Sequence, residues 1–431
     1  MIRSLVPGRR MARDTAWNFA ALGVTAGVGG IITLLIAGRM GPAALGVFAQ
    51  LYAVHVIGAQ AAAFGIHDST QKHVAEYAWK GAADDAIIAA GVTMVALLGL
   101  AAGGLLTAGA AALASLAGSS DVRSGLYLVA PGIMFFALNK VLFGALNGRG
   151  LLRRYAVMQF LRAALVLIAA AVITRGDLPV HAVGAIFTAA ELALLPCLLA
   201  AVRPGFRIPA AAMGEWCRRH FAFGGRGLVN GVLLEAHLRV DVIALSYFVP
   251  DRAVGIYAFA MLFAEAIYQV PVVIRTVAYP TLVQLASRGD RAALARTTRR
   301  LSLVGGGTCA MAAVAVAMSY PLIAARFDPA FLLGVSVLQI LLIGMTVYAF
   351  FVPFDQLLLQ SGLPGRQSVM MALYVATNVI LNILLIPEYG LAGAAIATAL
   401  ALAAAGVMLL AASWLWLGYR GSVLLYRAPA A

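Results

Sequence analysis

The chain has 431 residues, of which 63% are apolar and only 11% charged, and it carries a net charge of +14. Soluble domains carry about 25% charged residues, so the composition excludes an ordinary soluble domain. Apolar runs of ~20 residues recur along the whole length, as bilayer-spanning helices require. The period-2 alternation of a membrane barrel, the other spanning solution, is absent.

In chain order, the runs predict twelve spans, at 17–38, 43–66, 86–108, 125–146, 156–174, 180–202, 221–248, 253–280, 301–325, 332–360, 367–387 and 391–418. Residues 1–16 are basic, and no small-residue cleavage site follows the first run, so the first helix is expected to be retained. That span carries Gly23, Gly27 and Gly30, and the ninth carries Gly305 to Gly307; small residues of this kind let membrane helices approach closely. The fourth span holds Lys140, the fifth Arg162 and the sixth Glu191. The seventh is the most polar. Arg226, Asn230, His237 and Asp241 fall near one helical stripe, and Glu235 and Arg239 stand at i, i+4 in the favourable order for an ion pair. The eighth span carries Glu265 and Arg275, Asp355 ends the tenth, and Asn378 and Asn382 sit at i, i+4 in the eleventh, placed to hydrogen-bond across helices.

Charge gives the orientation. Twenty-one of the 31 Lys and Arg residues, among them Arg3, Lys72, Arg149, Arg207, Arg291, Arg366, Arg420 and Arg427, lie in the N-terminus, the C-terminus and the loops after even-numbered spans. Only Arg39, Arg123, Arg175, Arg252 and Arg326 lie in the opposite loops. The positive-inside rule therefore predicts both termini in the cytoplasm. The basic loops are short and scattered, which argues against a nucleic-acid footprint. Cys197, Cys217 and Cys309 show no metal-ligand spacing and imply no disulfide framework, and the six His residues form no metal pattern. No cofactor or metal is expected.

The remaining five cations, Lys140, Arg162, Arg226, Arg239 and Arg275, lie inside apolar runs. A charge near the bilayer centre costs from ~3 to more than ~10 kcal/mol, so such residues face a bundle interior or a watery cavity. They are the candidate substrate-binding residues, and their charge points to an anionic cargo. Lys140 and Arg239 lie deepest and Arg162 is intermediate. Arg226 and Arg275 either snorkel to headgroups or form a first contact for cargo at the cytoplasmic face. Glu191, Glu235, Asp241 and Glu265 are the candidate coupling or charge-balancing carboxylates: they either carry protons or sodium in a transport cycle or pair with the arginines.

Segments recur at an offset near 210 residues. Gly41-Pro42-Ala43-Ala44-Leu45-Gly46 follows the first span, and Val249-Pro250-Asp251-Arg252-Ala253-Val254-Gly255 follows the seventh. Gly150, Arg154 and Val157-Met158 open the fifth span, and Gly362, Arg366 and Val369-Met370 open the eleventh. Six spans per half make the repeat parallel. The expected fold is all-α and polytopic: about twelve transmembrane helices in two parallel-repeat six-helix bundles around a central cavity, with bundles at 1–202 and 221–431, a cytoplasmic linker at 203–220, and a substrate site between the halves.

The stretch Asn378-Val379-Ile380-Leu381-Asn382 through Ile386-Pro387-Glu388-Tyr389-Gly390-Leu391-Ala392-Gly393 to Thr398 resembles the eleventh-to-twelfth helix signature of the polysaccharide flippase family, part of the exporter superfamily that also holds multidrug extruders and the lipid II flippase. Gly41 to Phe48 resembles the family's first outer turn. Val254 to Ala258 with Glu265 and Tyr279-Pro280 resembles its eighth helix and the loop after it. The resemblance implies a flippase, not an enzyme, moving undecaprenyl-diphosphate-linked oligosaccharide from the inner to the outer leaflet of a bacterial inner membrane by alternating access. Its implied partners are that glycan lipid, membrane lipids, and a polysaccharide polymerase and glycosyltransferases. The family's cationic cavity follows no fixed motif, so it assigns no residue here. Two rivals stand: a cation-coupled multidrug antiporter of the same superfamily, which would want acidic cavity residues, and a membrane glycosyltransferase or ligase, against which the lack of a substantial outer loop argues.

Overall fold

The structure, a computed structural model, describes residues 9–419 apart from 81, 82, 177, 206, 207 and 238, without the side chains of 9–26, 229, 230, 360 and 364. Of the residues singled out above, Arg3, Arg207, Arg420, Arg427 and the side chain of Asn230 lie outside the described residues.

The described residues are helical almost throughout and contain no strand. The helices are α1 Arg9–Ala63, α2 Ile66–Trp79, α3 Asp85–Ala117, α4 Ser120–Gly148, α5 Leu152–Ile173, α6 Ala185–Val202, α7 Ala210–Ala236, α8 Val240–Phe248, α9 Asp251–Ser287, α10 Arg291–Phe327, α11 Val335–Ala349, α12 Leu357–Gln360 and α13 Pro364–Leu415. Among the described residues nine are long and apolar enough to cross a membrane. Two of these nine cover two expected spans each. α1 breaks at Gly41 (φ 79°, ψ −175°) and α13 at Gly390 (φ 55°, ψ −128°), backbone conformations that side-chain-bearing residues rarely adopt. Pro42 and Pro387, which lack an N–H, flank the two breaks. The expected seventh span is not one helix: α7 stops at Ala236, and α8 starts at Val240 with Arg239 as its non-helical N-cap (φ −125°).

The largest segments between the expected spans, 67–85, 203–220 and 281–300, are largely helical. Residues 66–79 form α2, α7 begins at Ala210, and α9 and α10 run 37 residues each. At ~1.5 Å per residue such a helix is about 55 Å long, well beyond a hydrocarbon core of ~30 Å. The surplus extends α9 and α10 at their basic ends, where Arg288, Arg291, Arg296, Arg299 and Arg300 lie.

The chain divides into two compact units, 1–236 and 237–431. The first thus takes in residues 203–236, which the sequence reading divided between a linker and a second bundle. In this unit α4 packs on α1, α2, α3 and α6. Close approach needs glycine: a Cβ on Gly144 would sit 2.5 Å from the His67 carbonyl oxygen, and one on Gly99 2.8 Å from Met134 Cα. The expected small-residue contacts are present in the ninth span, where Gly306 packs tightly against the Phe350 ring and a Cβ on Gly305 would lie 3.7 Å from Pro271, Ile274 and Ala349, while Gly27 of the first span and Gly307 have nothing within 4 Å. At the basic end of the unit an apolar cluster of Val74, Ile87, Leu142, Leu146, Leu198 and Trp216 is sealed by an ion pair. Arg149 Nε and Nη2 each lie 2.7 Å from an oxygen of Asp84, and Nη1 donates to the Val202 carbonyl. In the second unit α13 packs on α8 and α11, and α9 on α10 and α11.

The repeat is legible in local geometry. Gly150 (φ 68°) and Gly362 (φ 78°) both take the left-handed conformation. The next residues, Leu151 and Leu363, donate their N–H to Leu146 and Leu358 at 2.9 Å, five positions back in each case. Each unit therefore ends a helix with the same Schellman-type turn before its span resumes.

Candidate functional site

Each unit holds a network of polar side chains among its apolar helices. In the first unit, Phe136, Asn139 and Lys140 stand at i, i+3 and i+4 on α4, which brings them onto one face. α5 brings Arg162, α6 brings Glu191, and α1 brings His55 and Gln60. Glu191 is fully buried. One carboxylate oxygen accepts the Arg162 Nε–H at 2.6 Å and the other accepts the Asn139 amide at 2.8 Å. Asn139 also lies 2.9 Å from the Glu191 carbonyl oxygen, which ties α4 to α6. Lys140 Nζ donates to the side-chain oxygen of Gln60, a neutral partner. Glu235 and Asp68 lie within electrostatic range of Lys140, as does Arg162. The two cations share a ring. Arg162 Cζ is 4.5 Å and Lys140 Nζ 5.5 Å from the Phe136 centroid, both within cation–π range. His55 meets the same ring edge-on at 5.4 Å and stacks on Phe187 at 5.1 Å.

In the second unit the network centres on Asp241 of α8, which is 7% exposed. Its Oδ2 accepts from Tyr257 Oη at 2.7 Å and from Thr398 Oγ1 at 2.5 Å, and its Oδ1 lies 3.0 Å from Asn382 Nδ2. Asn382 also bonds to Asn378, one turn away on α13. The expected cross-helix role of the two asparagines is therefore present, with Asn382 supplying the bond and Asp241 as its target. Farther along α9, Arg275 Nη1 donates to Asp355 Oδ2 at 2.5 Å, and Gln367 Nε2 donates to the Asp355 carbonyl at 3.0 Å.

The five expected cations have different surroundings. Arg162 and Arg275 are paired with carboxylates. Arg226 is exposed, and its Nε donates to the Ala222 carbonyl of its own helix at 2.9 Å. Lys140 contacts a neutral amide, and Arg239 caps α8. The Glu235–Arg239 pairing rested on an unbroken helix, and the end of α7 at Ala236 removes that spacing. Glu235 and Glu265 are both partly buried, and Glu265 lies within electrostatic range of Arg239 and Asp241. Sequence reasoning missed Gln60, Phe136, Asn139, Tyr257 and Thr398. Asn139 carried a usable signal, a polar residue beside Lys140 in an apolar run. Phe136 carried none, being one aromatic among many. Among the described residues, no His, Cys, Asp and Glu side chains group in a way that could hold a metal ion.

Residues 11–286 match the family described as polysaccharide biosynthesis protein. A stretch of 206 residues, 47% of the chain, is 26% identical to the "Probable flippase AglR" of Haloferax volcanii, and the match spans 42% of that protein's length. In fold the chain is similar to the lipid II flippase MurJ in an inward closed conformation, with a TM-score of 0.71 at 14% identity over 92% of this chain and 87% of that one. It is also similar to an inward-facing multidrug resistance MATE family transporter of the MOP superfamily, with a TM-score of 0.69 at 16% identity over 95% and 99%. At these identities the two structures establish a shared fold.

Proposed function

From the premise that this chain belongs to the polysaccharide biosynthesis protein family and is a multi-pass membrane protein, we propose that it is a flippase. Its cargo is an undecaprenyl-diphosphate-linked oligosaccharide, carried from the cytoplasmic to the outer leaflet of a bacterial inner membrane by alternating access. The distribution of basic loops supports cytoplasmic termini under the positive-inside rule.

The observation that carries the reading is Lys140. It lies in a membrane-crossing helix, and its direct partners are a neutral amide and an aromatic face. An ammonium held that way at depth is costly and gains most from an anion. Arg162 adds to the site: Glu191 takes its Nε–H, and its two Nη groups make no hydrogen bond among the described residues. Phosphate oxygens suit such a guanidinium fork and an ammonium point charge. Outward movement of the anion is favoured by the membrane potential, at about 2.3 kcal/mol per charge per 100 mV.

The carboxylates divide by role. Glu191 balances Arg162 directly, and Glu235 balances Lys140 at longer range. We assign ion coupling to Asp241, a buried carboxylate that accepts from the Tyr257 and Thr398 hydroxyls and from the Asn382 amide, a polar enclosure suited to taking up and releasing a proton. Multidrug antiport fits the geometry less well, because the oxygens of both Glu191 and Asp241 are occupied by internal donors and present no open carboxylate to a cationic drug.

The test is a leaflet assay on purified protein in vesicles containing a lipid-linked oligosaccharide. Transfer between leaflets with the lipid chemically unchanged, lost in Lys140→Ala at normal protein levels, is the expected result. Full transfer by that variant would sink the assignment of Lys140.

A further inference from the structure

Phe136 is the common neighbour of both cations in the first unit, and its position has a consequence for cargo choice. Lys140 reaches the ring from the next turn of the same helix, and Arg162 reaches it from α5. Like charges repel, and these two lie within electrostatic range of each other. The negative ring face attracts both. It therefore holds both beside one ring without accepting a conventional hydrogen bond from either. The rest of the network also leaves donors open. Glu191, itself held by the Asn139 amide, fixes Arg162 through Nε, leaving Nη1 and Nη2 to a ligand, and Gln60 takes one of the three Lys140 donors, leaving two. None of Phe136, Lys140 and the Arg162 side chain, which is 23% exposed, is sealed in the core.

We infer that Phe136 is a positioning residue that sets Lys140 and Arg162 as a two-point clamp, and that the clamp selects a lipid-linked diphosphate over a lipid-linked monophosphate. This rests on the flippase reading. In a diphosphate bridging lipid and sugar, each phosphate carries one negative charge and its own unesterified oxygens. The guanidinium fork takes one phosphate and the ammonium takes the other. A monophosphate satisfies one arm and leaves the remaining N–H donors of the second cation desolvated and unmet, which costs binding. The ring sets the distance between the arms, so it determines the selection although it touches neither phosphate.

The experiment compares undecaprenyl-diphosphate-linked and undecaprenyl-monophosphate-linked forms of one short fluorescent oligosaccharide, in vesicles containing the full chain. Wild type is expected to prefer the diphosphate in KM. In Phe136→Leu, which keeps apolar bulk and removes the ring face, the KM for the diphosphate should rise roughly ten-fold, the equivalent of the ~1–2 kcal/mol of a desolvated cation–π contact. The KM for the monophosphate should move much less, and Phe136→Trp should restore most of the preference. A merely structural role would shift both lipids together and would not be rescued by another ring. Lys140→Gln supplies a second arm if Phe136→Leu does not fold: it leaves the ring in place, and it too should narrow the preference. Equal KM values for the two lipids in wild type, or an unchanged preference in both Phe136→Leu and Lys140→Gln, would overturn the clamp while leaving the flippase reading intact. Transfer of neither lipid by wild type would overturn both.

Discussion

Glu191 receives the Arg162 Nε–H at 2.6 Å at a position with no solvent exposure. Breaking a buried pair by removing one partner leaves the other charge uncompensated and costs about 3–5 kcal/mol. Glu191→Ala is therefore expected to lower the thermal midpoint in detergent markedly. Arg162→Ala, which strands a carboxylate, should do the same. The double variant should be more stable than the sum of the two losses implies, because neither charge is stranded. A double-mutant cycle on thermal midpoints measures this, and strict additivity would mean that the pair is not coupled.

The Asp241 network predicts a separation of transport from folding. Asp241→Asn keeps shape and one acceptor oxygen but removes the charge that Tyr257, Asn382 and Thr398 surround. Protein levels should hold while transfer loses its response to an imposed proton or sodium gradient. The check is transfer in vesicles with and without each gradient. A variant that still responds as wild type does would move the coupling role away from α8.

Much of the fold was legible in the sequence because membrane insertion writes itself in composition. Apolar runs marked the helices, and Gly41 and Gly390 marked the breaks within α1 and α13. The break at 237–239 was not legible. Glu235 with Arg239 and His237 with Asp241, each at i, i+4, fit a polar helix running through it, and no Pro or Gly signals that α7 stops at Ala236. The site was legible in its charges and not in their partners. Lys140, Arg162, Glu191 and Asp241 stand out in apolar runs. That Arg162 is balanced by a carboxylate 29 residues away, and Lys140 by an amide 80 residues away, depends on helix packing that no local spacing encodes. The signature 378–398 was recognisable as a pattern, and the structure supplies its physical reason: Asn382 and Thr398 both hold Asp241.

At the basic end of the first unit, His220 gives a pH prediction. Its ring is buried, Nδ1 lies 2.8 Å from Ser69 Oγ, and Nε2 lies 2.9 Å from the Ile87 carbonyl oxygen, a geometry that suits a neutral ring donating from Nε2. Burial, chiefly, and the nearby His73 push its pKa down to about 4, against the upward pull of the Ile87 bond. An unfolded His takes up its proton near pH 6.5. Between these values the unfolded chain binds more protons, so the stability His220 contributes is full above about pH 6.5 and is lost as the pH falls toward 4. Thermal midpoints measured from pH 7.5 to 4.5 should fall in wild type. The fall should be shallower in His220→Gln, which keeps one donor and one acceptor and does not titrate. Parallel curves would show that His220 is not the group responsible.

The turn between α1 and α2 makes the most local prediction. Phe64 holds a positive φ of 48°, unusual for an aromatic residue, and Gly65 follows at 67°. Against this turn lies Gly224 of α7, where a Cβ would sit 2.0 Å from the Phe64 carbonyl oxygen and 3.1 Å from the ring. The close crossing fastens α7 to the first unit, and no side chain fits between. Gly224→Ala should therefore force the two segments apart and sharply reduce folded protein, as read by the monodisperse fraction on size exclusion after extraction. Three residues on, Gly227 has nothing within 4 Å of its would-be Cβ. There Gly→Ala should be neutral or stabilising by up to about 1 kcal/mol, the difference in helix propensity. The paired result separates contact from propensity. If Gly227→Ala were as damaging as Gly224→Ala, the demand would be for glycine flexibility along α7 and not for the crossing at Phe64.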